Sequence, residues 1–154
     1  LVALCQDEPG HGVDGCGVPT FDLPLVAFCR AWEALALAWS GEGDPVLGRI
    51  AQAMHAHPAL VSGSGRLDLH LSRGAQEPLI IKIGARALHC VALPGRRLAI
   101  IVKVHSGDEI ALASATRTAL ETFAPGAFER PSDWGWETVL NVAGVPVGDL
   151  IVEV

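Results

Sequence analysis

The stretch Gly12–Thr20 places an aspartate and a cysteine among three glycines and a proline. Glycine suits positions where the chain turns through positive φ or where another group approaches the backbone. We therefore expect a tight, ordered loop. In it, Cys16 has the chemistry of a metal ligand or a thiolate nucleophile, and Asp14 that of an acceptor that orients a nearby donor. A structural turn with an unreactive thiol explains the same spacing, since one cysteine cannot hold a zinc ion alone.

Lys82 is the second residue of chemical interest because it interrupts the apolar run Leu79–Ile83, which is typical of a β-strand. A buried lysine loses hydration unless it has a partner or a role, and burial makes its amine usable as a base. A lysine on the solvent face of the strand is the alternative. The six histidines show no paired ligand spacing, so we interpret them as structural or surface residues.

The elements that must position these residues begin with helices. Hydrophobic spacing predicts a helix that is capped by Asp22 and ends near Trp39, and a second that starts at Asp44 and ends near Pro58. One or two further helical turns are expected over Arg66–Ser72.

A predicted three-stranded antiparallel meander follows, over Leu79–Ile83, Ala87–Leu93 and Leu98–Val104. Ser106 and Glu109 match a capping box for another helix, and Leu150–Val154 is predicted to be a final strand. This order indicates an α+β fold in which helices cover an antiparallel sheet. We expect residues 1–154 to form a single domain.

Composition narrows the function. A net charge of -6 without a basic cluster argues against nucleic acid as a partner. No apolar run reaches the roughly 18 residues of a membrane span, so no membrane partner is expected. Four irregularly spaced cysteines and no visible signal peptide favour a reducing, cytoplasmic location. Because the chain begins with Leu1, we expect it to be part of a longer polypeptide.

Several motifs together resemble one family. They are Val13-Asp14-Gly15-Cys16-Gly17-Val18-Pro19-Thr20, His57-Pro58, Ser62-Gly63-Ser64-Gly65-Arg66, Lys82-Ile83-Gly84-Ala85 and Asn141…Gly144…Gly148. In this order the chain resembles the C-terminal half of the zinc-containing bacterial L-asparaginases (Rhizobium-type, class 3), whose fold is like that of serine β-lactamases and glutaminases.

The resemblance implies an amidohydrolase that converts asparagine to aspartate and ammonia. It implies that Lys82 and Asp14 are catalytic, that Arg66 and Gly84 contact substrate, and that Cys16 is one ligand of a zinc ion whose other ligands lie outside this chain. It also implies that an N-terminal half or another subunit completes the site, with association into homo- or hetero-oligomers.

Several positions depart from the family's pattern. Arg86 stands where an acid usually follows Lys-x-Gly-Ala, and Asp68-Leu69 stands where an acid and a threonine are expected after Gly65-Arg66. Ser106-Gly107 replaces an Asp-Gly pair after Lys103-Val104. These changes leave a second hypothesis open, in which the chain is a non-catalytic relative that acts as a binding or structural domain.

Overall fold

A computed structural model describes residues 2–153. Its helices are α1 Val2–Cys5, α2 Leu25–Trp39, α3 Pro45–Ala56, α4 Pro58–Ser62, α5 Leu67–Gly74 and α6 Glu109–Phe123. Its strands are β1 Gly10–Val13, β2 Pro19–Asp22, β3 Ile80–Gly84, β4 Leu88–Leu93, β5 Leu98–Lys103, β6 Thr138–Leu140 and β7 Pro146–Asp149. The predicted α+β class is therefore confirmed.

The central sheet has the order β3-β4-β5, and both pairs are antiparallel, as the sequence predicts. Successive strand residues point to opposite faces of a sheet, so each face collects alternate residues. Ile81, Val91 and Ile100 share one face, and Ile80 and Ala92 share the other. The β-branched runs of the sequence form this sheet. Helices cover both of its faces, which explains why its strands are apolar on both sides.

Each face of the sheet packs into its own apolar cluster. The Ile81 face joins the larger one, with Leu67 and Leu71 of α5 and with Leu112 and Leu120 of α6. The Ile80 face joins the smaller one, which α2 and α3 complete; its members are Ala36, Ala51, Ile80 and Ala92, with Trp32, Leu35, Trp39 and Met54 packed against them. The sheet is thus the middle layer between two helical layers.

Helix α3 begins as predicted, and α2 does not. Asp44 caps α3 by accepting a hydrogen bond from the Val46 N–H at 2.8 Å, with Pro45 in the first turn. The predicted cap of α2 is wrong: Asp22 is the last residue of β2, opposite Gly10, and α2 starts after Pro24 without a side-chain cap. Strand pairing holds Asp22 away from the helix start.

Two predictions about the last third of the chain are also wrong. Asp108, not Ser106, caps α6, because its carboxylate accepts from both the Ile110 and Ala111 N–H groups. The final strand is β7, which pairs with β6 in a hairpin, whereas residues 150–153 lie outside any strand. Position 154 lies outside the described residues.

Among the helices in residues 2–153, none is long and apolar enough to cross a membrane.

Candidate functional site

The Gly12–Thr20 stretch is the turn of a two-stranded hairpin formed by β1 and β2. The Asp14 N–H donates to the Val18 carbonyl at 3.0 Å, and the Gly17 N–H donates to the Asp14 carbonyl at 2.8 Å. Gly17 has a φ of +81°, a conformation that glycine adopts without the steric cost other residues meet. These bonds give the loop the ordered form that its glycines predict.

Asp14 and Cys16 lie side by side at the exposed tip of this hairpin. The Cys16 thiol is 3.4 Å from Asp14 Oδ2, to which it donates, and Asp14 Oδ1 accepts from the Gly15 N–H at 2.8 Å. Within residues 2–153, no group of three His, Cys, Asp or Glu side chains is placed to hold a metal ion. The hairpin tip can therefore offer one thiolate and one carboxylate, and any other ligand would have to come from outside.

Lys82 lies in β3, directly opposite Cys90 of β4, and its side chain is half-buried. Its Nζ donates to the Ile83 carbonyl at 2.8 Å, which leaves two of the three ammonium donors for other groups. Opposed residues of an antiparallel pair share a face, so Lys82 lies on the Ile80 face of the sheet. The sequence left open whether Lys82 is a buried base or a lysine on the solvent face. The structure shows a side chain that is neither fully buried nor fully exposed.

A buried polar network lies next to Lys82, on the other face of the sheet. Asp68 of α5 accepts from the Ile83 N–H at 3.0 Å and contacts His89 Nε2 at 2.9 Å, and His89 Nδ1 is 3.0 Å from Thr116 Oγ1 of α6. All three side chains are at most 1% exposed. The network therefore joins α5, β3, β4 and α6 through one carboxylate and one imidazole.

The charge of this network is set by competing effects on Asp68. Burial acts to raise the pKa of its carboxyl, but the hydrogen bonds from His89 and the Ile83 N–H, with the nearby His89 and Lys82 charges, lower that pKa below its usual value. The carboxylate is therefore ionised and can only accept, so His89 Nε2 is the donor in their bond. The interpretation of His89 as a structural histidine is consistent with this burial.

Two further thiols, those of Cys90 in β4 and Cys29 in α2, have raised pKa values. Burial, together with the nearby Cys29 and Asp68, raises the pKa of Cys90 to about 12. Burial also raises the pKa of Cys29. Because the thiolate is the reactive form of cysteine, neither residue is suited to act as a nucleophile.

The hairpin and the end of β3 meet at a shared cavity of about 370 Å³. Its lining residues come from β2, the segment between β2 and α2, α2 itself, the β3–β4 turn and the start of β4: Thr20, Phe21, Leu23, Phe28, Ala85 and Leu88. The structure thus brings the base of the hairpin to the turn that follows Lys82-x-Gly84. Asp14 and Cys16, at the tip, do not line this cavity.

The other two predicted site residues lie at element boundaries. Arg66 is exposed and immediately precedes α5, two residues before Asp68. Gly84 ends β3 opposite Leu88, and a Cβ built at Gly84 would lie 3.2 Å from Leu88 Cδ2. Glycine at this position allows Leu88 to pack closely against β3.

A model of the family described as L-asparaginase II matches residues 1–152. The chain belongs to the L-asparaginase II family. No curated protein matches the sequence.

Membership in the L-asparaginase II family assigns the chain to the asparaginase-like amidohydrolases at family level. In this family member, sequence reasoning missed the Asp68–His89–Thr116 network. Its members are separated by 21 and 27 residues, so local spacing carries no signal of their contact. One indirect signal was available: Asp68 falls in an otherwise apolar helical face, between Leu67 and Leu71.

Replacing Asp68 by asparagine should lower the free energy of unfolding by about 2–4 kcal/mol, because it removes the ionised acceptor from a buried pair. The difference in the free energy of unfolding between the variant and the unaltered protein should reach its full size above about pH 5 and become smaller below that pH. An aspartate whose native pKa is lowered stabilises the fold above its unfolded pKa of about 3.9, and that stability is lost as the pH falls through the native pKa.

Urea unfolding at a series of pH values measures both effects. Asp133→Asn is the matched control, since Asp133 is 61% exposed and lies 3.9 Å from His70. That variant should change stability by less than about 0.5 kcal/mol. Equal stability of the Asp68→Asn and Asp133→Asn variants at neutral pH would contradict the assigned role of the network.

Proposed function

We propose that the chain forms the C-terminal half of an L-asparaginase that hydrolyses the side-chain amide of asparagine to aspartate and ammonia. The observation that carries this proposal is the family match over residues 1–152. The position of Lys82 adds support. Its side chain is half-buried, and Lys82 directly precedes Ile83, whose N–H donates a hydrogen bond to Asp68 of the buried network. The resemblance to zinc-containing, class 3 enzymes and to the β-lactamase-like fold belongs to this proposal.

In the proposed reaction, Lys82 is the general base that this chain contributes. After losing a proton, its amine accepts the proton of a serine hydroxyl that an N-terminal half or another subunit supplies, and the serine oxygen attacks the amide carbon. The lysine then returns the proton to the departing ammonia, and water hydrolyses the acyl-enzyme. Asp14, at the hairpin tip, would assist as an acceptor that orients a donor.

Substrate contacts are proposed at Arg66 and Gly84. A guanidinium binds a carboxylate through two parallel hydrogen bonds, which suits Arg66 to the α-carboxylate of an amino-acid substrate. The backbone of Gly84, at the end of the Lys82 strand, allows close approach of the substrate. Asparagine is the substrate that the family description favours, and a related small-molecule amide has the same chemistry.

Zinc is proposed at the hairpin tip, with Cys16 as a ligand. The donor set fits one side of such a site, since a thiol and a carboxylate are adjacent and exposed there. The remaining ligands are expected from outside this chain. When bound, the ion would supply positive charge that orients the substrate.

The assembly that this function needs is also a proposal. An N-terminal half or another subunit, in a homo- or hetero-oligomer, would supply the nucleophilic serine and the remaining zinc ligands. Four free cysteines support a reducing, cytoplasmic compartment.

The second candidate function is that of a non-catalytic relative that keeps the fold. It is favoured by Arg86, which replaces the usual acid with a cation in the turn directly after the Lys82 strand. A positive charge there would repel the amino group of a substrate. The two functions differ in whether Lys82 is needed for amide hydrolysis.

Lys82→Met should reduce ammonia release from L-asparagine by at least about a hundredfold in the full-length protein, because methionine keeps the length of the side chain and has no basic amine. Lys82→Arg should be equally inactive, since a guanidinium stays protonated at neutral pH. The measurement is coupled detection of ammonia together with the unfolding midpoint of each variant.

Arg49→Met, an exposed arginine of α3, is the control and should keep full activity. Activity of the unaltered protein that survives in Lys82→Met would refute the general-base role. An unaltered full-length protein that releases no ammonia would favour the non-catalytic function.

Cys16→Ser should lower the zinc content of the purified full-length protein, because a serine hydroxyl is a much poorer zinc ligand than a thiolate. Elemental analysis after gel filtration measures the bound zinc. Cys29→Ser is the control, since Cys29 lies within α2, away from the hairpin tip. Equal zinc content in the two variants would contradict the assignment of Cys16.

A further inference from the structure

A second cavity lies at the end of the sheet and is lined by basic groups. It has a volume of about 440 Å³, and its lining residues are Arg86, Lys103, His105, Ser106 and Gly107. We refer to these five residues as the basic pocket. Its lining contains no acidic side chain, and it offers a guanidinium, an ammonium, an imidazole and a hydroxyl. All of these groups can donate hydrogen bonds to an oxyanion.

The backbone that carries Arg86 is held in an unusual conformation. Arg86 and Ala87 have φ values of +55° and +54°, in the left-handed region that residues with a Cβ rarely adopt. Two contacts from the neighbouring strand fix the turn: Lys103 Nζ donates to the Arg86 carbonyl, and the Val104 N–H donates to the Ala87 carbonyl at 3.0 Å. Such strain persists only where the surrounding structure enforces it.

The cations of the basic pocket have no acidic partner among residues 2–153. Elsewhere in that range, arginines pair with glutamates, as Arg96 does with Glu77 and Arg97 with Glu42. The nearest carboxylate in sequence, that of Asp108, accepts from the first N–H groups of α6 at 2.8 and 2.9 Å. Asp108 therefore caps α6 and forms no salt bridge with Arg86, Lys103 or His105.

We propose that the basic pocket binds a small oxyanion, with Arg86 and Lys103 as its main ligands. A guanidinium presents a planar pair of N–H donors that matches a carboxylate or a phosphate, and an ammonium adds a point charge. One ammonium proton of Lys103 binds the Arg86 carbonyl, which fixes the amine and leaves two protons for the anion. An oxyanion would bind here whether or not the protein hydrolyses amides.

The position of the pocket suggests how binding would matter. Ala85 and Leu88, on either side of Arg86 and Ala87, line the cavity shared with the β1–β2 hairpin. The β3–β4 turn therefore separates the basic pocket from that cavity. An anion held by Arg86 would also reduce the positive charge beside the Lys82 strand.

The test is a titration of the full-length, ¹⁵N-labelled protein with inorganic phosphate and, separately, with succinate, at constant ionic strength. The Gly107 and Ala87 amide signals should shift saturably with at least one of the two anions. Binding of phosphate alone or of succinate alone identifies which oxyanion the pocket prefers, and binding of both identifies a general oxyanion site.

Arg86→Gly should weaken this binding at least tenfold while the fold is kept, because glycine adopts positive φ freely. Arg97→Gly is a matched control: Arg97 is also an exposed arginine with positive φ, at +53°, and should bind as the unaltered protein does. Unsaturable shifts with both anions, or equal weakening in the two variants, would overturn the proposal. Unchanged binding in Arg86→Gly would overturn it as well.

Discussion

The Asp68 carboxylate is the interaction on which the arrangement of the candidate site depends. It is 1% exposed, and it accepts hydrogen bonds from both the Ile83 N–H and His89. Burial of an ionised group is costly unless its oxygens are satisfied, so these bonds allow α5 to carry a charge inside the larger apolar cluster. They also connect α5 to β3, which is an edge strand of the sheet as residues 2–153 form it.

The hydrogen bonds of Asp68 determine which parts of the candidate site are held firmly in place. Lys82 and Gly84 stand on either side of Ile83, so the network that holds the Ile83 amide also fixes their strand. Asp14 and Cys16, by contrast, lie at the tip of a hairpin whose strand residues are all exposed. The proposed lysine base thus sits on the packed core, whereas the proposed zinc ligand sits on a projecting ribbon.

Much of the fold could be predicted from local patterns in the sequence. The β-branched runs in the middle of the chain predicted the three strands of the sheet, and Asp44 with Pro45 predicted the start of α3. Both signals are local, because strand pattern and helix capping depend on residues within a few positions of each other. The caps predicted at Asp22 and Ser106 were wrong. Asp22 is held in the strand pairing of the β1–β2 hairpin, and Asp108 caps α6 in place of Ser106.

The candidate site was less predictable than the fold. Lys82 stood out as a charge in an apolar strand, but nothing local indicated that Asp68 and Thr116 would meet at His89. Contacts over 21 and 27 residues arise only when α5 and α6 pack on the same face of the sheet. The basic pocket was hidden for the same reason, since Arg86 and Lys103 meet through the register of β4 with β5.

Amide hydrogen exchange of Ile83 is the most direct test of this account. In the unaltered protein, the Ile83 N–H should exchange with solvent as slowly as the amides within β4, because it is bonded to a buried carboxylate. Exchange as fast as that of the exposed Ala143 amide in the β6–β7 turn would contradict the account. It would mean that Asp68 does not hold the strand that carries Lys82.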